Sequence, residues 1–151
     1  MKRIVIATDG SGAAREAVRV GLELAAEQGA KVTFVHVVPS FDPGPLGIGV
    51  PGVSPHRITQ ADQAPLVAAE RAAREQDVSA QSALLKGEPV DEIVTLADSI
   101  DADLVVIGSR GHGGLASALL GSVSRGVMHE TRRPVVVVRA SETRAPAAVT
   151  H

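Results

Sequence analysis

The 151-residue chain contains no cysteine, tryptophan or tyrosine, and its aromatic side chains are limited to two phenylalanines. Without cysteine the protein cannot form disulfides, thiolate metal sites or a cysteine nucleophile. The formal net charge of −2 and the lack of stacking aromatics exclude the usual features of nucleic-acid binding, so nucleic acid is not an expected partner. No apolar run approaches the roughly 18 residues of a membrane span, and no secretory leader precedes the first apolar run. We therefore expect a cytoplasmic protein that does not bind membranes.

Short continuous apolar runs are present instead, and they predict parallel strands that are buried on both faces. They comprise Ile4–Ala7, Val32–Val38, Leu104–Ile107 and Val135–Val138. The stretch Val78–Leu85 alternates more and predicts a half-exposed edge strand. Apolar residues at three-four spacing predict helices over about 11–28, 60–76, 88–99 and 121–130. Pro65 lies inside the second of these patterns and predicts a later start for that helix.

The alternation of strands and helices predicts an α/β fold with one open, doubly wound, mostly parallel five-stranded sheet of order 3-2-1-4-5. Ligands of such sheets bind beyond the carboxyl ends of the strands at the switch point, here between the first and fourth strands. We predict a single domain over residues 1–140. Residues 141–151 have no apolar period and are predicted to form a disordered tail, and the proline- and glycine-rich stretch 39–55 is predicted to be a loop beside the cleft.

Glycine and serine cluster after the fourth predicted strand, at Gly108, Gly111 and Gly121–Ser124. Glycine lets the backbone approach an anion without a Cβ, and the last of these segments opens a helix whose first N–H groups have no partners. Arg110 and Arg125 could add positive charge or could be solvated surface residues. Glycines also serve tight turns and close helix packing, but their number at one switch point favours binding of a nucleotide phosphate.

Two common nucleotide-binding motifs do not match the chain. Gly121 and Gly126 have the Walker A spacing, but Val127-Met128 stands where a lysine and a hydroxyl residue must bind phosphate and magnesium. Gly10-Ser-Gly12 follows the first strand as in a dinucleotide fingerprint, but Arg15 replaces the third glycine. We therefore exclude a P-loop NTPase and disfavour a Rossmann dehydrogenase.

Asp9 ends the first predicted strand at the cleft. Its carboxylate could accept hydrogen bonds from ribose hydroxyls or help to hold a phosphate-bound cation, or it could cap the first helix. Ser11 could form that cap equally well. His36 and His56 are expected to make ordinary hydrogen bonds, and no metal site is predicted.

Four segments carry a family pattern: Val5–Ser11, His36–Val38, the spacing Gly108-x2-Gly111-x9-Gly121-Ser122-Val-Ser124, and Pro134–Val138. They resemble the universal stress protein family, over essentially the whole chain to Arg139, and the glycine spacing is that of its ATP-binding branch. The resemblance implies an adenine nucleotide alpha-hydrolase-like fold. It also implies a homodimer, paired through Val135–Val138, that binds ATP, alone or with Mg²⁺, between the first and fourth strands.

The resemblance also implies roles for individual residues. Ala7 and Asp9 would line the nucleoside side, and backbone groups of Val37 would meet the adenine edge. The residues expected to flank the ribose and phosphates are Ile107, Gly108 and Gly111, with Arg110 beside them, and those expected to surround the phosphates are Gly121, Ser122, Val123 and Ser124.

The implied function is a nucleotide-dependent role in regulation and stress response. Little or no hydrolysis is expected, because no residue near the loop is an evident general base. The alternative is a slow ATP hydrolase or nucleotidyl-transfer enzyme on the same scaffold, which would use Asp9 or His112 with a metal.

Overall fold

A computed structural model describes residues 1–41, 55–110 and 120–140. Most of the predicted loop 39–55 and all of the predicted tail 141–151 lie outside these residues. Among the described residues, no helix is long and apolar enough to cross a membrane. Strands and helices alternate as predicted, with bounds within two residues of expectation: β1 (Arg3–Ala7), α1 (Gly12–Gln28), β2 (Lys31–Val38), α2 (Gln60–Glu75), β3 (Ala80–Lys86), α3 (Pro89–Ser99), β4 (Leu104–Gly108), α4 (Ser122–Glu130) and β5 (Val135–Val138).

The five strands form one all-parallel sheet of order β3-β2-β1-β4-β5, which confirms the predicted topology. β1 lies at the centre, and Ile4 pairs with Val32 of β2 on one side and with Leu104 of β4 on the other. β3 and β5 form the two edges. The chain therefore adds β2 and β3 on one side of β1 and then β4 and β5 on the other, so that the carboxyl ends of β1 and β4 lie side by side.

Helices cover both faces of the sheet, and alternate residues of β1 face opposite layers. Ile4 and Ile6 pack in the layer of α1 and α2, whereas Val5 and Ala7 pack in the layer of α3 and α4. Full burial of such aliphatic side chains stabilises the fold by about 1.5–3 kcal/mol each. Helix α1 packs so closely on the sheet that a Cβ on Gly21 would overlap the side chain of Ile6.

The ends of α1 are defined by side-chain and backbone caps. Ser11 is the N-cap, and its Oγ accepts a hydrogen bond from the N–H of Ala14 at 3.3 Å. Gly29 ends the helix with φ +64°, in the left-handed region that glycine adopts readily, and donates its N–H to the carbonyl of Ala25. The Ser11 cap starts α1 after a short turn at the carboxyl end of β1.

The prediction that Pro65 delays the start of α2 is wrong. The helix begins at Gln60, because Thr59 and Asp62 form a reciprocal capping box: each side chain accepts the other residue's N–H, at 3.3 and 2.9 Å. Pro65 lacks only one backbone donor, and its ring packs against Gly10, where a Cβ would lie 3.3 Å from the proline Cγ.

Candidate functional site

A cavity of about 370 Å³ lies where β1 and β4 end, at the predicted switch point. Its volume is in the range of small-molecule sites, about 300–1,000 Å³. One predicted residue, Gly111, lies outside the described residues. All the others line this cavity: Ala7, Asp9, Val37, Ile107, Gly108, Arg110, Gly121, Ser122, Val123 and Ser124.

β2 extends past the end of β1 and leaves part of its backbone facing the cavity. The carbonyl of Val35 accepts the N–H of Thr8 at 2.9 Å, which is the last bond between the two strands. Val38 turns its carbonyl the other way, to the N–H of Gly87 at 2.9 Å. Because alternate residues of a strand direct their backbone groups to the same side, the N–H and C=O of Val37 face the side where β1 has ended. They offer one donor and one acceptor to a ligand.

Helix α4 points its N-terminus into the cavity. Gly121 is the N-cap, with φ −74° and ψ 165°, and makes no side-chain cap. The helical ladder starts with the N–H of Arg125 donating to the carbonyl of Gly121 at 3.1 Å. The N–H groups of Ser122, Val123 and Ser124 precede that ladder, so together with the positive end of the helix dipole they can bind an anion.

The start of α4 is fixed to the end of β4 through one carbonyl, that of Ser109. It accepts the N–H of Gly121 at 2.6 Å and lies 3.0 Å from the hydroxyl of Ser124. That hydroxyl is also 3.1 Å from the carbonyl of Gly121, and Ser124 is only 2% exposed. The Ser124 hydroxyl therefore donates to the protein backbone, and what this residue can offer a ligand is its N–H. Ser122 beside it is exposed.

Gly108 is a glycine for a different reason from the one predicted. A Cβ at this position would lie 2.7 Å from the carbonyl carbon of Ala13 and 2.9 Å from the nitrogen of Ala14. The residue thus lets α1 approach the end of β4, and close helix packing rather than access for an anion explains the missing side chain. Gly108 still contributes its backbone to the cavity wall.

Asp9 lies at the cavity wall, and of the two candidate caps of α1 the structure has Ser11 rather than Asp9. Asp9 Oδ1 accepts the N–H of Ser11 at 2.9 Å, which orients the carboxylate within the turn after β1. Asp9 is the one acidic side chain among the described residues that line the cavity. No group of three or more His, Asp or Glu side chains in the described segments could hold a metal, so a divalent ion there would need oxygen ligands from a bound molecule.

An apolar wall of the cavity was not predicted from the sequence. It is formed by Pro89 and Ile93 from the first turns of α3. The apolar spacing of α3 places Ile93 on the inward face, but it does not tell how near the carboxyl edge of the sheet the helix begins. His36 also lines the cavity and is half-buried, whereas His56 makes its expected hydrogen bond, with Nε2 2.8 Å from Asp62 Oδ2.

An all-parallel sheet of this strand order, covered on both faces and carrying a cavity at its switch point, defines a doubly wound α/β domain. The model of the universal stress protein family matches residues 1–139, and the chain belongs to that family. This confirms the resemblance seen in the glycine spacing and the strand ends.

Relatives support the same assignment. The chain is 35% identical over 143 residues to a universal stress protein of Methanocaldococcus jannaschii, covering 91% of this chain and 82% of the relative. A solved universal stress protein in complex with cAMP has a TM-score of 0.69 and 29% identity, covering 93% of this chain and 98% of its own. Another, from Archaeoglobus fulgidus in complex with dAMP, has a TM-score of 0.66 and 28% identity, covering 91% and 98%.

Proposed function

We propose that this chain is a dimeric, ATP-binding regulatory protein of stress response, with little or no hydrolysis. The observation that carries the proposal is the presence of two features on either side of β1: the backbone N–H and C=O of Val37, which face the side where β1 has ended, and the N-terminus of α4 at Gly121. The first suits a base and the second suits phosphates. Two solved relatives of 28–29% identity that hold cAMP and dAMP, both adenine nucleotides, support it.

The backbone of Val37 favours adenine over guanine. Adenine presents an acceptor, N1, beside the donor amino group on C6, which complements one N–H and one C=O. Guanine presents N1–H beside the acceptor O6, so each backbone group would face a partner of its own kind and lose its hydrogen bond. Pro89 and Ile93 supply an apolar surface for the face of the base. Binding of ATP should therefore be much tighter than binding of GTP.

The start of α4 would hold the phosphates through its N–H groups. The helix dipole alone contributes only about 0.3–1 kcal/mol, so affinity depends on several N–H donors acting together with Arg110. If Mg²⁺ accompanies ATP, Asp9 is the carboxylate nearest to hand among the described cavity-lining residues, and the ion would take its remaining ligands from phosphate and water.

The position of Asp9 argues against fast hydrolysis. A general base must reach the water that attacks the terminal phosphate. Asp9 follows β1, between the proposed base and phosphate sides, and its Oδ1 accepts the N–H of Ser11. A slow hydrolase or nucleotidyl-transfer enzyme is the alternative, using Asp9 or His112 with a metal. His112 lies outside the described residues. Turnover that survives rigorous purification and is lost in Asp9→Ala and in His112→Ala would favour that alternative.

The edge strand β5 is the proposed dimer contact. Its four residues, Val135–Val138, are all half-exposed. An apolar strand with a free edge invites pairing with another chain, and a two-fold dimer leaves no free edge at this contact. Light scattering after gel filtration should give the mass of a dimer; a monomer at high protein concentration would contradict this part of the proposal.

The test of the ligand is mass spectrometry of the molecule released from purified protein, followed by calorimetric titration with ATP and GTP. We expect an adenine nucleotide to be released and ATP to bind far more tightly than GTP. Equal binding of the two nucleotides would refute the role of Val37. Absence of binding by any adenine nucleotide would refute the proposed function.

A further inference from the structure

A second cavity lies at the opposite end of the sheet from the first, at the amino ends of β1, β2 and β3. Its volume is about 580 Å³, again in the range of small-molecule sites. The end of α3 and the turn after it, Ser99–Asp101, line one side. The two cavities share no lining residue in the part of the chain that the structure describes, so they can be occupied independently.

Two basic side chains are neighbours in this second cavity. Arg3 of β1 pairs in register with Lys31 of β2, and both line the cavity. Alternate residues of a strand face the same side, so both share the side of Val5 and Val35, which pack in the layer of α3 and α4. Like charges at neighbouring positions repel each other, and an anion bound between them offsets that repulsion.

The carboxylate of Asp101, which also lines the cavity, is already paired. Asp101 Oδ1 lies 2.8 Å from Arg133 Nη1. The same nitrogen donates to the carbonyl of Ala102 at 2.9 Å, which places a positive charge near the C-terminal end of α3. The negative charge on this side of the cavity is therefore balanced within the protein.

The two cations are less well balanced. Neither Arg3 nor Lys31 forms an ion pair with a residue in 1–41, 55–110 or 120–140. Asp103 Oδ2 accepts the backbone N–H of Arg3 at 2.9 Å, which keeps this carboxylate close to Arg3 and offsets part of its charge. Lys31 is therefore the main candidate to attract an anion.

A buried hydroxyl beside these cations has a donor to spare. Thr33 follows Lys31 on the same side of β2, lines the cavity and is only 6% exposed. Its Oγ1 accepts Nε2 of Gln81 at 3.3 Å, and among the described residues this bond leaves the Thr33 proton and Gln81 Oε1 for a ligand. Ser79 and Ser99 also line the cavity. These groups suit a ligand that carries several hydroxyls.

We propose that the second cavity binds a small phosphorylated sugar, with the phosphate between Arg3 and Lys31 and the sugar hydroxyls at Thr33 and Gln81. Hydrogen bonds from cations to phosphate are the strong ones, and they supply most of the attraction. The lining of this cavity is mostly polar, unlike the apolar wall of the first, which favours a sugar over a nucleotide base. The inference does not depend on what the first cavity binds.

The test is an NMR titration of the whole, isotope-labelled protein with glucose 6-phosphate, glucose and inorganic phosphate, each with and without ATP. We expect glucose 6-phosphate to shift the backbone amide signals of Lys31, Thr33 and Gln81 in both conditions. ATP alone should instead shift those of Ser122–Ser124. Glucose 6-phosphate should bind at least about tenfold more tightly than glucose or inorganic phosphate, because only it engages both the cations and the hydroxyl partners.

Three variants assign the contacts. Lys31→Gln should weaken binding of glucose 6-phosphate roughly two- to fivefold, as expected for an exposed charge pair. Lys86→Gln, the control, removes the same charge from the other end of β3 and should leave binding unchanged. Thr33→Val keeps the side-chain shape without the hydroxyl and should weaken binding roughly three- to tenfold, with thermal unfolding as the check on folding.

Signal shifts confined to the start of α4 would overturn the inference, as would equal affinities for glucose 6-phosphate and inorganic phosphate. Unchanged binding in Lys31→Gln would also overturn it, whether or not Thr33→Val folds. Failure of ATP to bind would refute the proposed function and leave the second site standing.

Discussion

Replacement of Gly121 by aspartate should abolish nucleotide binding while leaving the protein folded. The backbone at this position, with φ −74° and ψ 165°, already has the N-cap conformation that aspartate prefers. The new carboxylate would accept the N–H groups of both Val123 and Ser124, the same donors that a phosphate requires. Hydrogen bonds to a charged group are worth about 1.5–3 kcal/mol each. Loss of two, with added charge repulsion, predicts at least about 3 kcal/mol, or more than about a hundredfold in affinity.

The same substitution should change stability little. A better cap and a negative charge at the helix N-terminus stabilise by a few tenths to about 1 kcal/mol. Against this, the new Cβ would lie 3.3 Å from both the Cα of Arg110 and the carbonyl oxygen of Ser109, which is a tight contact. We expect the free energy of unfolding to change by less than about 1 kcal/mol.

Two further variants at the same position separate the causes. Gly121→Asn introduces a neutral cap of the same size, and Gly121→Ala introduces only the Cβ. Calorimetric titration with ATP, with thermal unfolding as the check on folding, should rank the loss of affinity as Asp, then Asn, then Ala. A folded aspartate variant that binds ATP as tightly as the unmodified protein would refute the placement of phosphates at α4.

Two other predictions concern stability. Gly108→Ala should destabilise the fold by about 1–3 kcal/mol in urea unfolding, because its Cβ would lie 2.7 Å from a backbone carbon of α1. The control Gly12→Ala, whose Cβ would lie 4.0 Å from its nearest neighbour, should be neutral or stabilising by up to about 1 kcal/mol. Equal effects of the two substitutions would contradict the packing role of Gly108. Asp103 accepts the N–H groups of Lys2 and Arg3 at 2.6 and 2.9 Å, and these bonds lower its pKa. The contribution of the Asp103 carboxylate to the free energy of unfolding is therefore present above its unfolded pKa and is lost as the pH falls through its lower folded pKa. Between about pH 5 and pH 2, the Asp103→Asn variant should lose less stability than the unmodified chain. Identical dependence of stability on pH in the two proteins would contradict this role of Asp103.

The fold was predictable because its local signals agree with one another. The continuous apolar runs of β1 and β4 indicate burial on both faces, which is typical of a helix-covered parallel sheet. Ser11 and Gly29 mark the ends of α1. The strand order placed Asp9 and the start of α4 at the same edge of the sheet, and both line one cavity.

Other features depend on contacts between segments that are distant in sequence. The closeness of Gly108 to α1 is set by how two elements pack, and the residue alone is equally compatible with a phosphate-binding turn. The start of α2 depends on whether a capping box outweighs a missing donor at Pro65, which is a balance of energies rather than a pattern. Ile93 faces inward in either case, and only the position of α3 along the sheet makes it part of a cavity wall.

The single carbonyl of Ser109, which holds both Gly121 and Ser124, bears on how occupancy of the cavity could be sensed. The donors at the start of α4 are fixed before any ligand arrives, so binding requires little ordering of the chain there. Movement of α4 is then a poor signal of occupancy. A bound polyphosphate would instead add several negative charges at the cavity, and a partner protein could distinguish filled from empty molecules by surface potential alone.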